Sequence, residues 1–212
     1  LDAIARFLQD VATDDVDETG WGAPNHLWVV RSLRIDVLAP PVEDREVELL
    51  TWCSGTGTVV AGRRMSLLGD RGGRVEADSV WIHLDRRGRP ARIDDFDVYA
   101  GSTEGRVVTT KLELPEPERR RGRFPWHVRV ADLDRMGHVN NAVYLAAVEE
   151  CLARGGPDPR RPLRVRVDYR QPIDLGDEVE LEVEAADDLL AVAFRVRGET
   201  RAVARVEPAE GG

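Results

Sequence analysis

Residues 1–15, LDAIARFLQDVATDD, place Leu1, Ile4, Leu8, Val11 and Ala12 on one stripe with Phe7 beside it. That is the spacing of an amphipathic helix. A turn-rich stretch, ETGWGAPN, ends it. Four segments of strand character follow, 27–38, 45–55, 57–69 and 73–85, and GDRGG at 69–73 reads as a hairpin turn. From 86 to 122 the chain turns rich in Pro, Gly and charge and reads as a linker. A strand at 123–132, a helix from about 140 to 153, and strands at 162–171, 177–185, 189–198 and 200–207 complete the pattern. Their short turns imply an antiparallel meander.

The two halves repeat this order, and they match residue by residue. RIDVLAPPVEDREVEL (34–49) aligns without gaps on RVDYRQPIDLGDEVEL (166–181), with Arg34/Arg166, Asp36/Asp168, Pro40/Pro172 and the EVEL runs identical. Such a window predicts an internal duplication of a helix-plus-antiparallel-sheet unit. The expected division is 1–93, a linker at 94–122, and 123–212. Leu1 then corresponds to about Asn140, so a strand and loop equivalent to 124–139 are expected upstream of Leu1.

Composition narrows the class. Hydrophobic residues make up 42% and charged residues 33% of 212, as in a soluble globular protein. No apolar run approaches the roughly 18 residues that a membrane span needs. A net charge of −9 argues against a general nucleic-acid binder. The two cysteines, Cys53 and Cys151, and the four histidines form no metal-ligand spacing, so reduced thiols and no metal are expected. Arginines cluster at Arg119, Arg120, Arg121 and Arg123, and again between Arg154 and Arg170. They read as a solvated face or as a docking patch for an acidic partner or phosphate.

The chemistry concentrates in DLDRMGHVNN, which places Asp132, Asp134, His138, Asn140 and Asn141 before a segment that is apolar from Ala142 to Leu152 except at Glu149 and Glu150. A helix apolar nearly all round is enclosed by protein, and a curved sheet wrapped around it satisfies this. Its first N–H groups lack internal partners and carry partial positive charge. Asn140 and Asn141 suit capping, and Gly137 permits close backbone approach. Donors there can meet a developing oxyanion while Asp134 and His138 handle a proton or water. Asp132 reads as a cap, and capping alone is the competing reading of the whole group.

The run D-x-x-x-H-V-N-N-x-x-Y, Asp134 to Tyr144, resembles the signature of hotdog-fold thioesterases. Over the whole chain the resemblance is to acyl-acyl-carrier-protein thioesterases with two tandem hotdog repeats, and ARFLQDVATDD, WVVRSLRIDV and SGTG resemble the bacterial members. The resemblance implies an α+β double hotdog, two central helices each wrapped by a curved antiparallel sheet. It implies cofactor-free hydrolysis of a fatty acyl thioester in cytoplasmic fatty acid biosynthesis. Asp134 matches the catalytic aspartate and His138 the motif histidine. Gly137 and Val139, with Asn140 or Asn141, would hold the oxyanion. Trp28, Val30, Trp52, Val60, Trp81 and Tyr144 are implied pocket residues, and Arg119, Arg120, Arg121 and Arg123 a carrier-docking patch. Two positions depart from the family: Met136 stands where Asn is usual, and Gln171–Pro172 where many members have an acid. YRQPIDLGD instead resembles single-hotdog acyl-CoA thioesterases. An acyl-CoA hydrolase and a non-catalytic acyl-binding protein therefore remain as alternatives, whereas no dehydratase motif is present. A monomeric pseudo-dimer or a homodimer fits a tandem repeat.

Overall fold

The computed structural model of the protein describes residues 1–22, 26–94, 96–118 and 122–209. Helix α1, Asp2–Glu18, buries Ala5, Leu8 and Ala12, whereas Leu1, Ile4 and Val11 of the expected stripe are only partly buried. Phe7, off that stripe, stays half exposed. Strands β1 (Leu27–Ala39), β2 (Val47–Thr56), β3 (Val60–Gly69) and β4 (Arg74–Leu84) follow. The segment after them carries a 3-10 turn at Asp97–Tyr99 and a one-turn helix α2, Ala100–Thr103. Then come β5 (Gly122–Trp126), α3 (Val143–Leu152), β6 (Leu163–Tyr169), β7 (Val179–Ala186), β8 (Leu189–Val196) and β9 (Glu199–Pro208).

All nine strands form one sheet, in the order β2-β3-β4-β1-β6-β9-β8-β7-β5, and every pair is antiparallel. The order is a mirror about the β1–β6 seam, with β5 added at one end. The register shows the same symmetry: Arg34 pairs with Arg166, Asp36 with Arg164 and Ser32 with Asp168. Residues equivalent in the internal alignment thus meet across a pseudo-two-fold axis through the Arg34/Arg166 pair. The fold is α+β, a double hotdog in which the sheet curves around α1 and α3.

Helix α3 is enclosed as its composition requires. Val143, Tyr144, Leu145, Ala147, Val148, Cys151 and Leu152 are all buried in it. It begins at Val143 rather than Asn140, because Asn140 closes a turn ahead of it: Oδ1 accepts the Ala142 N–H at 2.9 Å and its carbonyl accepts that of Val143 at 2.9 Å. The strand expected at 123–132 also stops early, at Trp126. Asp132 accepts the backbone N–H of Arg129 at 2.8 Å and its guanidinium at 2.7 Å, closing a 3-10 turn at Val130–Asp132 instead. Local side-chain bonds of this kind compete with a ladder.

The polar linker lies fastened to the sheet. Asp168 Oδ2 accepts the N–H groups of Glu113 and Leu114, each at 2.9 Å. Glu116 is held by Arg170, Arg195 and Thr200. Val108 fits over Gly55, where a Cβ would stand 2.7 Å from its Cγ2.

Asp36, the duplicate of Asp168, does something different: it accepts from Arg34 on its own strand and from Arg164 across the seam. Burial by itself raises a carboxyl, but the bonds from these two guanidinium groups outweigh it and hold Asp36 below its ordinary value. A depressed folded-state pKa contributes stability that is present above the unfolded value and is lost as pH falls through the folded one. Asp36→Asn is therefore expected to unfold more easily in urea at neutral pH, and its deficit relative to wild type should shrink below about pH 4. A deficit unchanged with pH would refute this.

Candidate active site

The segment between β5 and α3 folds back on itself. Leu133 and Val139 bridge, the Asp134 N–H donates to the His138 carbonyl at 2.8 Å, and the Gly137 N–H donates to the Asp134 carbonyl at 3.1 Å. Gly137 sits at φ +83°, a conformation L side chains rarely adopt, which is why glycine closes this turn. Asp134 Oδ1 accepts the N–H groups of Met136 at 2.8 Å and His138 at 3.2 Å. One carboxylate oxygen thus braces the loop. The other, Oδ2, has no protein partner among the described residues and is open to substrate or water.

This arrangement corrects two expectations. The N–H of Gly137 is already bonded within the turn, and that of Val139 donates to the Ile173 carbonyl at 2.8 Å, so neither is available to an oxyanion. The Asn140 N–H likewise donates to the Asp132 carbonyl at 2.8 Å, and its side-chain oxygen is taken up by the Ala142 N–H. From Met136 to Val143, only the backbone N–H of Asn141 lacks a partner among the described residues. Its side-chain amide also has no partner among the described residues. Its carbonyl, in turn, accepts from the Tyr169 hydroxyl at 3.0 Å, which anchors it to the core. The imidazole of His138 faces Asp174, with Nε2 3.7 Å from Oδ1. Asp134 and His138 therefore meet only through the backbone of His138, and no side-chain dyad forms between them.

Asp134, Arg135, Met136 and Asn141 line one side of a cavity of about 440 Å³. Its remaining wall belongs to the first half: Gln9, Ala12, Thr13, Val16 and Asp17 on one face of α1, with residues of β1 to β4 opposite. Trp28 and Trp81, expected in the pocket, are in its wall. Val30 is buried deeper, beside Trp81 and Ala142. Cys53 and Ala61 line the cavity, so strand alternation turns Trp52 and Val60 to the other face. Tyr144 is outside it, packed against Trp126, Tyr169 and Phe194. Arg123 pairs with Glu180 and Glu182. Arg119, Arg120 and Arg121 lie outside the described residues.

Sequence reading missed a set of polar groups in the cavity wall, where Arg63 and His26 line it, and directly behind it. Arg63 donates to Asp15 at 2.7 Å, and the Tyr99 hydroxyl donates to the same carboxylate oxygen at 2.6 Å. His26 Nδ1 and His83 Nε2 are 3.0 Å apart. Burial and the facing His83 both lower the pKa of His26. A signal was present for Arg63: Ala61, Arg63, Met65 and Leu67 share one face of β3, so an arginine stands in an apolar series.

The double hotdog carries, at the edge of an open cavity, a carboxylate oxygen and a side-chain amide without partners among the described residues, an arrangement suited to thioester hydrolysis. The particular family follows from comparison. The family model for the acyl-ACP thioesterase N-terminal domain matches residues 1–100, and that for the C-terminal domain matches 116–207. The chain belongs to the acyl-ACP thioesterase family. An uncharacterised protein of Mycobacterium tuberculosis is 28% identical over 96% of this chain and 82% of its own length. The Arabidopsis thaliana chloroplastic oleoyl-acyl carrier protein thioesterase 2 is 27% identical over 85% of this chain and 56% of its own. Among solved structures, an acyl-ACP thioesterase from Bacteroides thetaiotaomicron superposes with a TM-score of 0.77, at 17% identity, over 98% of this chain and 88% of that one. None of the described helices is long and apolar enough to cross a membrane.

Proposed function

We propose that the protein hydrolyses the thioester between a fatty acyl chain and acyl carrier protein, releasing the free acid and the carrier thiol. The observation that carries this reading is the shared cavity: the first half supplies most of its wall, for the acyl chain, and the second supplies Asp134 and Asn141 at its edge. Asp134 Oδ2 accepts a proton from water as the water oxygen attacks the acyl carbon. The Asn141 amide and N–H stabilise the resulting oxyanion. Collapse expels the thiolate, which takes the proton back from Asp134. Brønsted logic favours so sparse a site, because a thiolate is a good leaving group. Met136 at the mouth adds apolar surface and no hydrogen bond to this chemistry.

Arg135, exposed beside the cavity and without an ion-pair partner among the described residues, is the cation offered to the phosphate of a pantetheine arm. Several arginines of the second half are instead paired internally, Arg164 with Asp36, Arg166 with Glu207 and Arg170 with Glu116. The two buried free thiols, Cys53 and Cys151, suit a reducing cytoplasm. A hydrolysis panel presenting one acyl group on carrier protein and on coenzyme A tests the reading. Carrier thioesters should be cleaved with the higher kcat/KM. Preference for coenzyme A would move the protein to the alternative substrate, and inertness toward both would reject catalysis.

A further inference from the structure

The sheet orders the residues along the cavity. Asn141 shares a small neighbouring cavity of about 30 Å³ with Val30 and Leu33 of β1 and with Ser79 and Trp81 of β4. That is the space of about one water, so these side chains are its near neighbours. Gln9 of α1 lines the same space. Farther along the helix, by about 9 Å at 1.5 Å per residue, Asp15 accepts from Arg63 of β3. The Arg63 guanidinium also donates to Thr51 of β2 at 2.9 Å. Helix α1 therefore crosses the strands, outward from β1 and β4 to β3 and β2. The main cavity follows it: beyond Trp81 comes Ala61, its partner on β3, and then Cys53 on β2, opposite Arg63.

This outer end is sealed by bonds as well as by packing. Arg63 ties the sheet to Asp15 of the helix at 2.7 Å, and the Tyr99 hydroxyl ties the linker to the same carboxylate oxygen at 2.6 Å. Tyr99 is buried in one cluster with Cys53 and Ala61, and Phe96 packs against that cluster. The Phe96 ring lies 4.7 Å from that of Tyr99, 4.6 Å from that of Trp21 and 5.9 Å from that of Trp28, and it lines the cavity. Breaking the bonds of a buried guanidinium is costly. An apolar chain therefore does not force this end open, and it stops against Ala61, Cys53 and Phe96.

Resting on the thioesterase reading, we infer that the acyl group is of medium length, about ten to twelve carbons, with its methyl end against Ala61, Cys53 and the linker's Phe96. Strands lie about 4.8 Å apart, so the span from β1 or β4 to β2 is roughly 10 to 14 Å. An extended chain advances about 1.25 Å per C–C bond of about 1.5 Å, so roughly eight to eleven bonds fill that span. The volume agrees. The cavity holds about 440 Å³, the room of roughly fifteen groups of about 30 Å³, which is the share of one water and close to that of a methylene. Its mouth, beside Asp134 and Arg135, takes part of this for the thioester. An octadecanoyl chain exceeds both limits. The linker thus helps to measure the substrate that the second half cleaves.

The test is a panel of even-numbered acyl groups, hexanoyl to octadecanoyl, on acyl carrier protein. The kcat/KM should peak between octanoyl and tetradecanoyl and be at least about tenfold lower for octadecanoyl. Ala61→Leu, which fills the outer end, should move the peak to a shorter chain. Phe96→Ala, which empties it, should move the peak to a longer one. A wild-type peak at hexanoyl, hexadecanoyl or octadecanoyl overturns the inference while leaving the thioesterase reading intact. So does an unchanged peak in either variant that keeps the wild-type melting temperature; if Phe96→Ala does not fold, Ala61→Leu decides. Binding of the free acids supplies the arm that needs no turnover. Tighter binding of dodecanoic than of octadecanoic acid by a protein inert toward all thioesters would keep the inference and reject the hydrolase. Equal or weaker binding of dodecanoic acid would overturn the inference.

Discussion

Asp134→Asn lowers kcat for thioester hydrolysis by about a hundred- to ten-thousand-fold, the usual contribution of a positioned general base. The substitution is chosen for what it keeps. Asparagine retains an oxygen where Asp134 Oδ1 accepts the N–H groups of Met136 and His138. The turn closed by Gly137 therefore persists, and the melting temperature should stay near that of wild type. What is lost is the second oxygen, the one without a protein partner, which the proposed mechanism uses to hold the proton. KM should change little, because the cavity wall is untouched. Wild-type kcat in Asp134→Asn would remove Asp134 from the chemistry. Loss of kcat together with a large fall in melting temperature would assign Asp134 to the loop alone.

Phe194→Ala is expected to destabilise the fold by about 3–5 kcal/mol, the range for truncating a fully buried phenylalanine. Phe194 on β8 has no exposed surface. Its ring lies 5.4 Å from that of Trp126 and 5.0 Å from that of Tyr144, and Tyr144 packs 5.2 Å from Tyr169. This aromatic group fills the space between α3 and the sheet. At roughly 2–4 °C per kcal/mol for a chain of this size, the melting temperature falls by about 6 to 20 °C. Because the Tyr169 hydroxyl holds the Asn141 carbonyl, near-ultraviolet circular dichroism should also report loosened aromatic packing. Phe7→Ala is the control: Phe7 is half exposed on α1, and its loss should shift stability by no more than about 0.5 kcal/mol. Equal effects from the two substitutions would contradict this account of the core.

Periodicity located the strands well because each segment alternates or runs apolar between Gly, Pro and Asp punctuation. It placed α1 for the same reason, through Leu8 and Ala12. Boundaries suffered where side chains bond their own backbone. Asn140 delays the start of α3, and Asp132 cuts short the segment after Trp126. The linker was legible as polar and Pro-rich, but its attachment was not. Glu116 meets Arg170, Arg195 and Thr200 from a strand arrangement that no local pattern encodes. Pocket residues divided along the same line. Trp28 and Trp81 face the cavity, whereas Trp52 faces away, and hydrophobicity does not distinguish the faces of a strand until its register is known.

The sequence by itself determined the duplication, the enclosed second helix and the loop that carries Asp134, since identical residues, apolar content and turn chemistry are local properties of the chain. Only the tertiary structure decided which oxygen of Asp134 is open, that Asn141 rather than Gly137 or Val139 keeps a free donor, and that His138 turns toward Asp174. It alone brought Arg63 and His26 into the wall of the cavity that Asp134 also lines. Each of these depends on hydrogen bonds and strand pairings between residues distant along the chain. A donor's availability is settled by what the whole fold has already placed against it.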